Sequence, residues 1–304
     1  MSTLSGLLVV AKAAAQAGAA VLAQRPVTLV PATRDELGAE TKTSGSDWVT
    51  DYDRRAEDAV RQVITGYRPQ DEISGEEYGH TAPEQPSGYR WAIDPLDGTT
   101  NFIRGIPQFC TSVAVEGPAE DTGEHRWLAS AVVAPVLGRI WWASAGQGAY
   151  TALDPSLGVT GEDGAPLEPV RLTGPVLGRS GRLLGTGFGY DAERRAFQQK
   201  VLAEIMPAFG DVRRIGSAAL DLCMVADGTL DAYAEIGTME YDWAGGALIA
   251  EEAGVPVRRP AHPNGNEHPD WSVAGDIDLS RRMRSAARST GTPPPSSPPA
   301  TAGR

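Results

Sequence analysis

The chain has 304 residues, of which 41% are hydrophobic and 22% charged, a composition typical of a globular protein with a large core. Its formal net charge of -12 argues against a protein whose main role is to bind nucleic acid, because phosphate backbones require clustered Lys and Arg. A small anionic substrate stays possible, since bound cations reverse the local sign of charge. The two cysteines, Cys110 and Cys223, are too few for a disulfide framework or a zinc cluster, and they indicate buried thiols in a reducing cytoplasm.

The N-terminal stretch, residues 4–24, is apolar and rich in alanine, and its spacing predicts an amphipathic helix packed on the body of the protein. A signal peptide carries positive charge before its apolar run, whereas Lys12 lies inside this one. The run is also too interrupted for a membrane span. We therefore expect neither secretion nor membrane attachment.

Further elements follow in chain order, predicted from periodicity and from capping and turn residues. Helices are predicted at 53–67, 192–209, 217–226 and 241–253, and strands at 89–93, 110–116, 128–134, 139–144, 182–186, 212–215 and 231–235. The strands from 110 to 144 are separated only by short polar breaks, which indicates antiparallel neighbours.

Strands that follow one another in the first part of the chain, and strands that alternate with helices in the later part, predict an α+β protein in two halves. We expect an N-terminal half at 1–145 with an antiparallel sheet and a C-terminal α/β half at 146–280. Residues 154–169 and 258–270 have the composition of polar loops. Residues 281–304 form a Pro/Ser-rich tail that is expected to be disordered, because it lacks apolar bulk.

Acidic residues gather at the predicted element boundaries, where chains converge to form sites. Asp53 and Asp242 open helices, a position that capping and the helix dipole explain without any function. The pair Glu76 and Glu77 fits an exposed turn equally well. The run WAIDPLDGTTNF at 91–102 differs, because turn dipeptides alone do not explain two carboxylates three residues apart beside an apolar strand.

Four segments resemble the motifs of the inositol monophosphatase-like family of Mg²⁺-dependent, Li⁺-sensitive phosphatases. They are KTSGSDWVTDYD at 42–53, GEE at 75–77, WAIDPLDGTTNFIRGIP at 91–107 and EYDWAGGALIAEEAG at 240–254. The resemblance covers roughly residues 4–260. It implies a layered α-β-α-β-α sandwich of the inositol monophosphatase and fructose-1,6-bisphosphatase type, and a cytoplasmic homodimer.

Hydrolysis of a phosphate monoester requires rate enhancements up to ~10²¹, far beyond the ~10²–10⁴ that one general acid or base supplies. Divalent cations held by oxygen ligands are the usual means of stabilising the charge that develops. The resemblance implies two or three Mg²⁺ ions. Their ligands are then Glu76, Asp94, the main-chain oxygen of Leu96, Asp97 and Asp242.

The resemblance also implies the remaining site residues. Asp53, Glu76 and Thr99 are implied as catalytic, with Thr99 and Asp53 orienting the attacking water and helping to deprotonate it. Contacts to the substrate are implied for Asp97, Gly98, Thr99, Gly216, Ser217, Ala218, Glu235 and Asp242. The family usually has Trp where this chain has Tyr241, which leaves the shape of the leaving-group pocket open. Lys42 is either solvated or part of the mechanism.

Two other classes of protein are alternatives to this family. DPLDGT is similar to the nucleophile motif of haloacid dehalogenase-like phosphatases, but its acids are three residues apart rather than two. A non-catalytic binding protein is disfavoured, because every oxygen ligand is present. For the substrate, a small phosphorylated polyol or sugar, we favour inositol-1-phosphate over histidinol phosphate, fructose 1,6-bisphosphate and 3′-phosphoadenosine phosphates.

Overall fold

The computed structural model describes residues 3–26, 33, 35–42, 48–119, 122–154, 168–260 and 271–275. Most of the two predicted polar loops and the predicted C-terminal tail lie outside the described residues. The helices are α1 (Thr3–Leu22), α2 (Asp51–Tyr67), α3 (Thr99–Arg104), α4 (Ala192–Ile205), α5 (Ala218–Ala226) and α6 (Glu240–Glu252). The strands are β1 (Glu40–Thr41), β2 (Trp48–Val49), β3 (Glu72–Gly75), β4 (Gly79–Thr81), β5 (Arg90–Asp97), β6 (Cys110–Pro118), β7 (His125–Ala134), β8 (Arg139–Ser144), β9 (Gly148–Leu153), β10 (Val170–Arg171), β11 (Leu183–Thr186), β12 (Asp211–Arg213), β13 (Ala232–Ile236), β14 (Val257–Arg258) and β15 (Trp271–Ala274).

Two large sheets organise the described chain. The first has eight strands in the order β10-β9-β8-β7-β6-β5-β3-β4, all antiparallel except the parallel pair β3 and β5. The second has five strands in the order β12-β11-β13-β15-β14. Its pairs β12-β11 and β11-β13 are parallel, and the other two are antiparallel.

The sheets and helices stack in five layers. Alternate residues of β6 face opposite ways, as strand geometry requires: Val113 and Val115 pack with α1 and α2, whereas Ala114 packs with α5 and α6. In the five-stranded sheet, Tyr233 faces α5 and α6, while Ala234 packs against α4 on the far side. The order α1/α2, large sheet, α5/α6, small sheet, α4 is the predicted α-β-α-β-α sandwich.

Helix α1 confirms the predicted N-terminal helix. By length and composition it could also cross a membrane, and it is the one described helix that meets this test. Its buried face, with Leu7, Ala11, Ala14 and Ala15, packs against α2 and the large sheet, as in the core helix of a globular protein. The two cysteines are free and buried, as expected.

Some predicted boundaries are wrong. The predicted helix at 192–209 ends as α4 at Ile205 and continues as a 3-10 turn, because Pro207 lacks an amide proton and disfavours the α conformation before it. Helix α2 begins two residues earlier than predicted and α6 one residue earlier, so that Asp53 and Asp242 are each the third helical residue. Asp94 and Asp97 do not follow their strand but lie within β5, which extends to Asp97.

Candidate active site

The two aspartates of the central motif sit at an irregularity in β5. Asp94 pairs with Ser112 and Asp97 with Cys110, and the register shifts between these pairs. Pro95 has no amide proton for the ladder, and its carbonyl oxygen instead accepts the Thr111 hydroxyl at 2.9 Å. A strand that bulges in this way re-aims its side chains. Both carboxylates are buried, with exposed fractions of 1% for Asp94 and 8% for Asp97.

A tight turn follows Asp97 and begins helix α3. Gly98 has φ of 101°, a conformation that favours glycine. A Cβ atom at this position would lie 2.9 Å from the carbonyl oxygen of Gln108, so a larger residue would also collide with the facing chain. Glycine therefore permits Thr99 to follow directly after the buried strand.

Thr99 lies against Asp53 of α2. Its hydroxyl is 3.1 Å from Asp53 Oδ1 and 3.1 Å from the carbonyl oxygen of Leu96, and it donates its single proton to one of these two acceptors. The other Asp53 oxygen accepts the Thr50 amide at 2.7 Å and the Thr50 hydroxyl at 2.6 Å, a capping box at the start of α2. Burial raises the pKa of Asp53 to about 6, against these hydrogen bonds, and the nearby charge of Glu76 adds to the rise.

Glu76 lies on the turn between β3 and β4. Its Oε1 is 3.0 Å from Lys42 Nζ, and Glu77 Oε1 is 2.5 Å from the same ammonium group. The pKa of Lys42 is raised, because the two glutamates outweigh the opposing effect of burial. The sequence left open whether Lys42 is solvated or part of the mechanism. Because it is paired with both glutamates, it is not a purely solvated lysine.

Asp242 comes to the site from the opposite side, on the first turn of α6. Its Oδ2 accepts the Met239 amide at 2.5 Å. Glu240, two residues earlier, forms a two-pronged ion pair with Arg90 of β5, at 2.5 and 2.9 Å. This pair ties the start of α6 to the strand that carries Asp94, so two distant parts of the chain meet here.

The carboxylates of Asp94, Asp97 and Asp242 influence one another through space. Burial raises the pKa of Asp97 to about 6 and those of Asp94 and Asp242 well above their ordinary value, with Glu76 contributing to all three. Among the described residues, no Lys or Arg pairs with any of these three aspartates. Buried like charges are costly unless a cation neutralises them. An all-oxygen donor set of this kind fits a hard divalent cation such as Mg²⁺.

The carboxylates are nevertheless not arranged as ligands. Within the part of the chain that the structure describes, no three Asp, Glu, His or Cys side chains converge closely enough to hold a metal ion. Glu76 is turned to Lys42, one oxygen of Asp97 accepts bonds from α5, and one oxygen of Asp242 accepts the Met239 amide. The metal ligands predicted from the sequence are therefore brought into one charged neighbourhood, and their coordination stays a prediction.

The segment predicted to contact the leaving group lies beside Asp97. Ser217, the N-cap of α5, donates its hydroxyl to Asp97 Oδ2 at 2.7 Å, and the Ala219 amide donates to the same oxygen at 2.7 Å. Gly216 has φ of 95°, and Ala218 is the first residue of α5. Ser217 thus positions Asp97, a role that the sequence did not reveal.

Glu235 is the penultimate residue of β13 in the small sheet. Its Oε2 accepts the hydroxyl proton of Tyr233 at 3.0 Å, and burial raises its pKa to about 7. A Cβ atom on Gly187 would overlap the Glu235 carboxylate, so the glycine directly after β11 makes room for it. Burial also raises the pKa of Asp221 well above its ordinary value, with Glu235 as the next cause. Asp221 Oδ1 has no hydrogen-bond partner among the described residues, and no motif pointed to it.

Comparisons with known proteins agree with this arrangement. The family model described as "Inositol monophosphatase family" matches residues 4–285. An "Inositol-1-monophosphatase" of Mycobacterium leprae is 43% identical over 222 residues, covering 72% of this chain and 70% of the relative. A "Nus factor SuhB" of Pasteurella multocida is 36% identical, covering 73% and 74%. The solved structure "Mycobacterium tuberculosis SuhB" has a TM-score of 0.69 at 32% identity and covers 96% of this chain and 99% of its own.

Proposed function

The chain belongs to the inositol monophosphatase family, and on that basis we propose that it is a Mg²⁺-dependent phosphomonoesterase acting on a small polyol or sugar phosphate. One observation carries the proposal: three carboxylates, from β5 and α6, lie together with no cationic side chain of the described residues paired to them. Relatives named inositol-1-monophosphatase at 42% and 43% identity support a phosphatase.

We assign the binding of Mg²⁺ to the oxygen atoms of Glu76, Asp94, Leu96, Asp97 and Asp242. When bound, Mg²⁺ neutralises these carboxylates and stabilises the charge that develops on the phosphate oxygens. Glu76 Oε1 contacts Lys42, so binding of the cation through this oxygen exchanges that contact for the cation. The Ser217 hydroxyl and the Ala219 amide donate to Asp97 and keep its carboxylate oriented.

Thr99 and Asp53 orient the attacking water and accept its proton. Of its two possible acceptors, the Thr99 hydroxyl donates to Asp53 Oδ1 in this mechanism and accepts a hydrogen bond from water, so a proton lost by the water passes through Thr99 to Asp53. A pKa of about 6 leaves Asp53 ionised but basic near neutral pH, as a general base requires. Because water attacks directly, no aspartyl-phosphate forms, in contrast to the haloacid dehalogenase-like mechanism.

The preferred substrate is inositol-1-phosphate. Glu235 and Asp242 present carboxylate oxygens that accept hydrogen bonds from a polyol, with Gly216, Ser217 and Ala218 beside them. Histidinol phosphate and other sugar or nucleotide phosphates are the alternatives within this fold. We also propose a cytoplasmic homodimer without nucleic-acid or membrane partners, in keeping with the net charge of -12.

A panel assay tests the function. Purified protein with Mg²⁺ is given inositol-1-phosphate, histidinol phosphate, fructose 1,6-bisphosphate and 3′-phosphoadenosine 5′-phosphate, and released phosphate is measured. The proposal expects the highest kcat/KM with inositol-1-phosphate, and inhibition by Li⁺ follows from the family resemblance. A higher kcat/KM with another ester would support phosphomonoester hydrolysis but contradict inositol-1-phosphate as the substrate.

Relatives named "Nus factor SuhB" favour a second candidate, a role in binding other macromolecules. The same panel separates the two, because a protein with only a binding role releases phosphate from none of the esters. A binding role would also have to accommodate the net charge of -12, which repels nucleic acid unless a basic partner lies between.

A further inference from the structure

Glu57 is a fully buried carboxylate that the proposed chemistry does not use. It lies on α2, and its exposed fraction is 0%. An ionised carboxylate is rarely buried without partners, because its desolvation is costly. Arg61, one helical turn further on, supplies one partner, with Nε at 2.8 Å from Glu57 Oε1. The remaining partners come from outside the helix.

Those partners are the backbone amides of the turn that carries Glu76. The Glu77 amide donates to Glu57 Oε2 at 2.7 Å, and the Tyr78 amide donates to Oε1 at 3.2 Å. The Glu57 carboxylate also packs closely against Gly75, the residue before Glu76, since a Cβ atom on Gly75 would overlap it. The turn from Gly75 to Tyr78 therefore rests on one side chain of α2.

The same helix holds the other part of the reaction machinery. Asp53 and Glu57 are four residues apart, so they project from one face of α2, with Asp53 towards Thr99 and Glu57 towards the acidic turn. Each is fixed by at least two hydrogen bonds. A single rigid helix thus sets the position of the Asp53–Thr99 pair relative to Glu76.

We propose that Glu57 is a positioning residue, which holds the backbone of the Glu76–Glu77 turn so that Glu76 can serve as a ligand for the divalent cation. This inference rests on the proposed function. It follows from the bonds to two consecutive amides, because they fix the peptide planes on either side of Glu77 and hence the direction in which the turn presents its side chains. Charged acceptors hold amides more strongly than neutral ones.

The test compares Glu57→Gln with a matched control, Asp58→Asn. Glutamine keeps the size of Glu57 but has only one acceptor oxygen. Its NH₂ group faces N–H donors of the turn or of Arg61 and cannot accept their hydrogen bonds, so the turn loses a bond. Asp58 is the next residue and is exposed, and within the described part of the chain its carboxylate accepts one hydrogen bond, from the Tyr78 hydroxyl at 3.3 Å. Its variant removes the same charge from the same helix and leaves the turn's backbone bonds intact.

Mg²⁺ is titrated calorimetrically into each metal-stripped protein, and unfolding by urea is measured in parallel without metal. We expect the dissociation constant for Mg²⁺ to rise about 10–100-fold in Glu57→Gln, the usual effect of losing a ligand-supporting partner. Asp58→Asn should match the wild-type protein. At saturating Mg²⁺, kcat of Glu57→Gln should return towards the wild-type value although its affinity for Mg²⁺ stays lower, because the catalytic pair Asp53–Thr99 is untouched.

Wild-type Mg²⁺ affinity in a folded Glu57→Gln protein would overturn the proposal and leave the phosphatase function standing. Absence of Mg²⁺ binding by the wild-type protein would overturn both. Hydrogen exchange supplies a test that needs no variant. The amides of Glu77 and Tyr78 should be protected in the metal-free wild-type protein, whereas exchange at the rate of a free turn would contradict their capture by Glu57.

Discussion

The hydroxyl of Thr99 lies 3.1 Å from the carboxylate of Asp53, a contact that bridges 46 residues of chain. It joins the first turn of α2 to the turn that follows the buried aspartates of β5. Because Asp53 is also held by Thr50, the acceptor is fixed before any substrate arrives. In the mechanism proposed above, this fixed carboxylate accepts the proton of the attacking water.

Replacing Thr99 by valine tests this contact. Valine preserves the shape but removes the hydroxyl, so kcat for phosphate release should fall about 10²–10⁴-fold, the usual contribution of a general base. Thr99→Ser keeps the hydroxyl and serves as the control, with kcat within a few-fold of wild type. A valine variant with unchanged kcat would remove Thr99 from the mechanism.

The pH profile should report the ionisation of Asp53. Burial raises its pKa above the ordinary value, to about 6 in the metal-free protein, and a general base acts only when deprotonated, so kcat/KM should rise with pH at the acid end of the profile and then level off. The profile is measured at saturating Mg²⁺ from pH 5 to 9. In Asp53→Asn this acid limb should disappear along with most of the activity. An unaltered limb in that variant would assign it to another group.

Asp97→Asn should separate stability from activity. Folding raises the pKa of Asp97 from 3.8 to about 6, so the folded state binds the proton more tightly than the unfolded one. Without metal, stability is therefore lost as pH rises from about 4 to about 6, by up to ~3 kcal/mol for a shift of about two units. Asparagine cannot ionise and avoids this loss.

We thus expect metal-free Asp97→Asn to unfold at higher urea concentration than the wild type at pH 8, but not at pH 4. Its phosphatase activity should be absent, since a ligand and its charge are gone. Circular dichroism checks that the fold is retained. Turnover like that of the wild type would contradict the metal assignment, and lower stability at pH 8 would contradict the charge repulsion.

Glu235→Gln should change the choice of substrate. The carboxylate accepts hydrogen bonds from polyol hydroxyls in the proposal, and such charged bonds contribute about 1.5–3 kcal/mol. We expect kcat/KM for inositol-1-phosphate to fall about 10–100-fold. The control substrate is p-nitrophenyl phosphate, which has no hydroxyl groups on its leaving group and should be hydrolysed as well as before. Equal losses on both substrates would assign Glu235 to the structure of the site.

The resemblance to the family implied the layered α+β fold, which the structure confirms, and it implied the site residues Asp53, Glu76, Asp94, Asp97 and Asp242, whose roles stay predictions. Most helix and strand positions were predicted from the residues themselves, because capping residues and strand alternation are local signals. The extension of β5 through Asp97 was missed, because Pro95 marks a break in the ladder and the bulge that accommodates it depends on β6.

Contacts between distant segments could not be predicted. Nothing in the sequence around Ser217 indicates that its hydroxyl binds Asp97, 120 residues earlier. Likewise, Glu57 looks like a polar residue on the exposed face of a helix until β3 and β4 fold over it. The pairing of Lys42 with Glu76 depends on how the chain before α2 meets the β3–β4 turn. Each of these contacts is set by the tertiary arrangement, which local patterns do not encode.

The most direct test of the account is phosphate release from inositol-1-phosphate by metal-stripped protein, with and without added Mg²⁺. We predict no release after stripping and full restoration by Mg²⁺, because the cation neutralises the buried carboxylates of Asp94 and Asp97. Equal hydrolysis with and without Mg²⁺ would contradict it, as would the absence of hydrolysis in the presence of Mg²⁺.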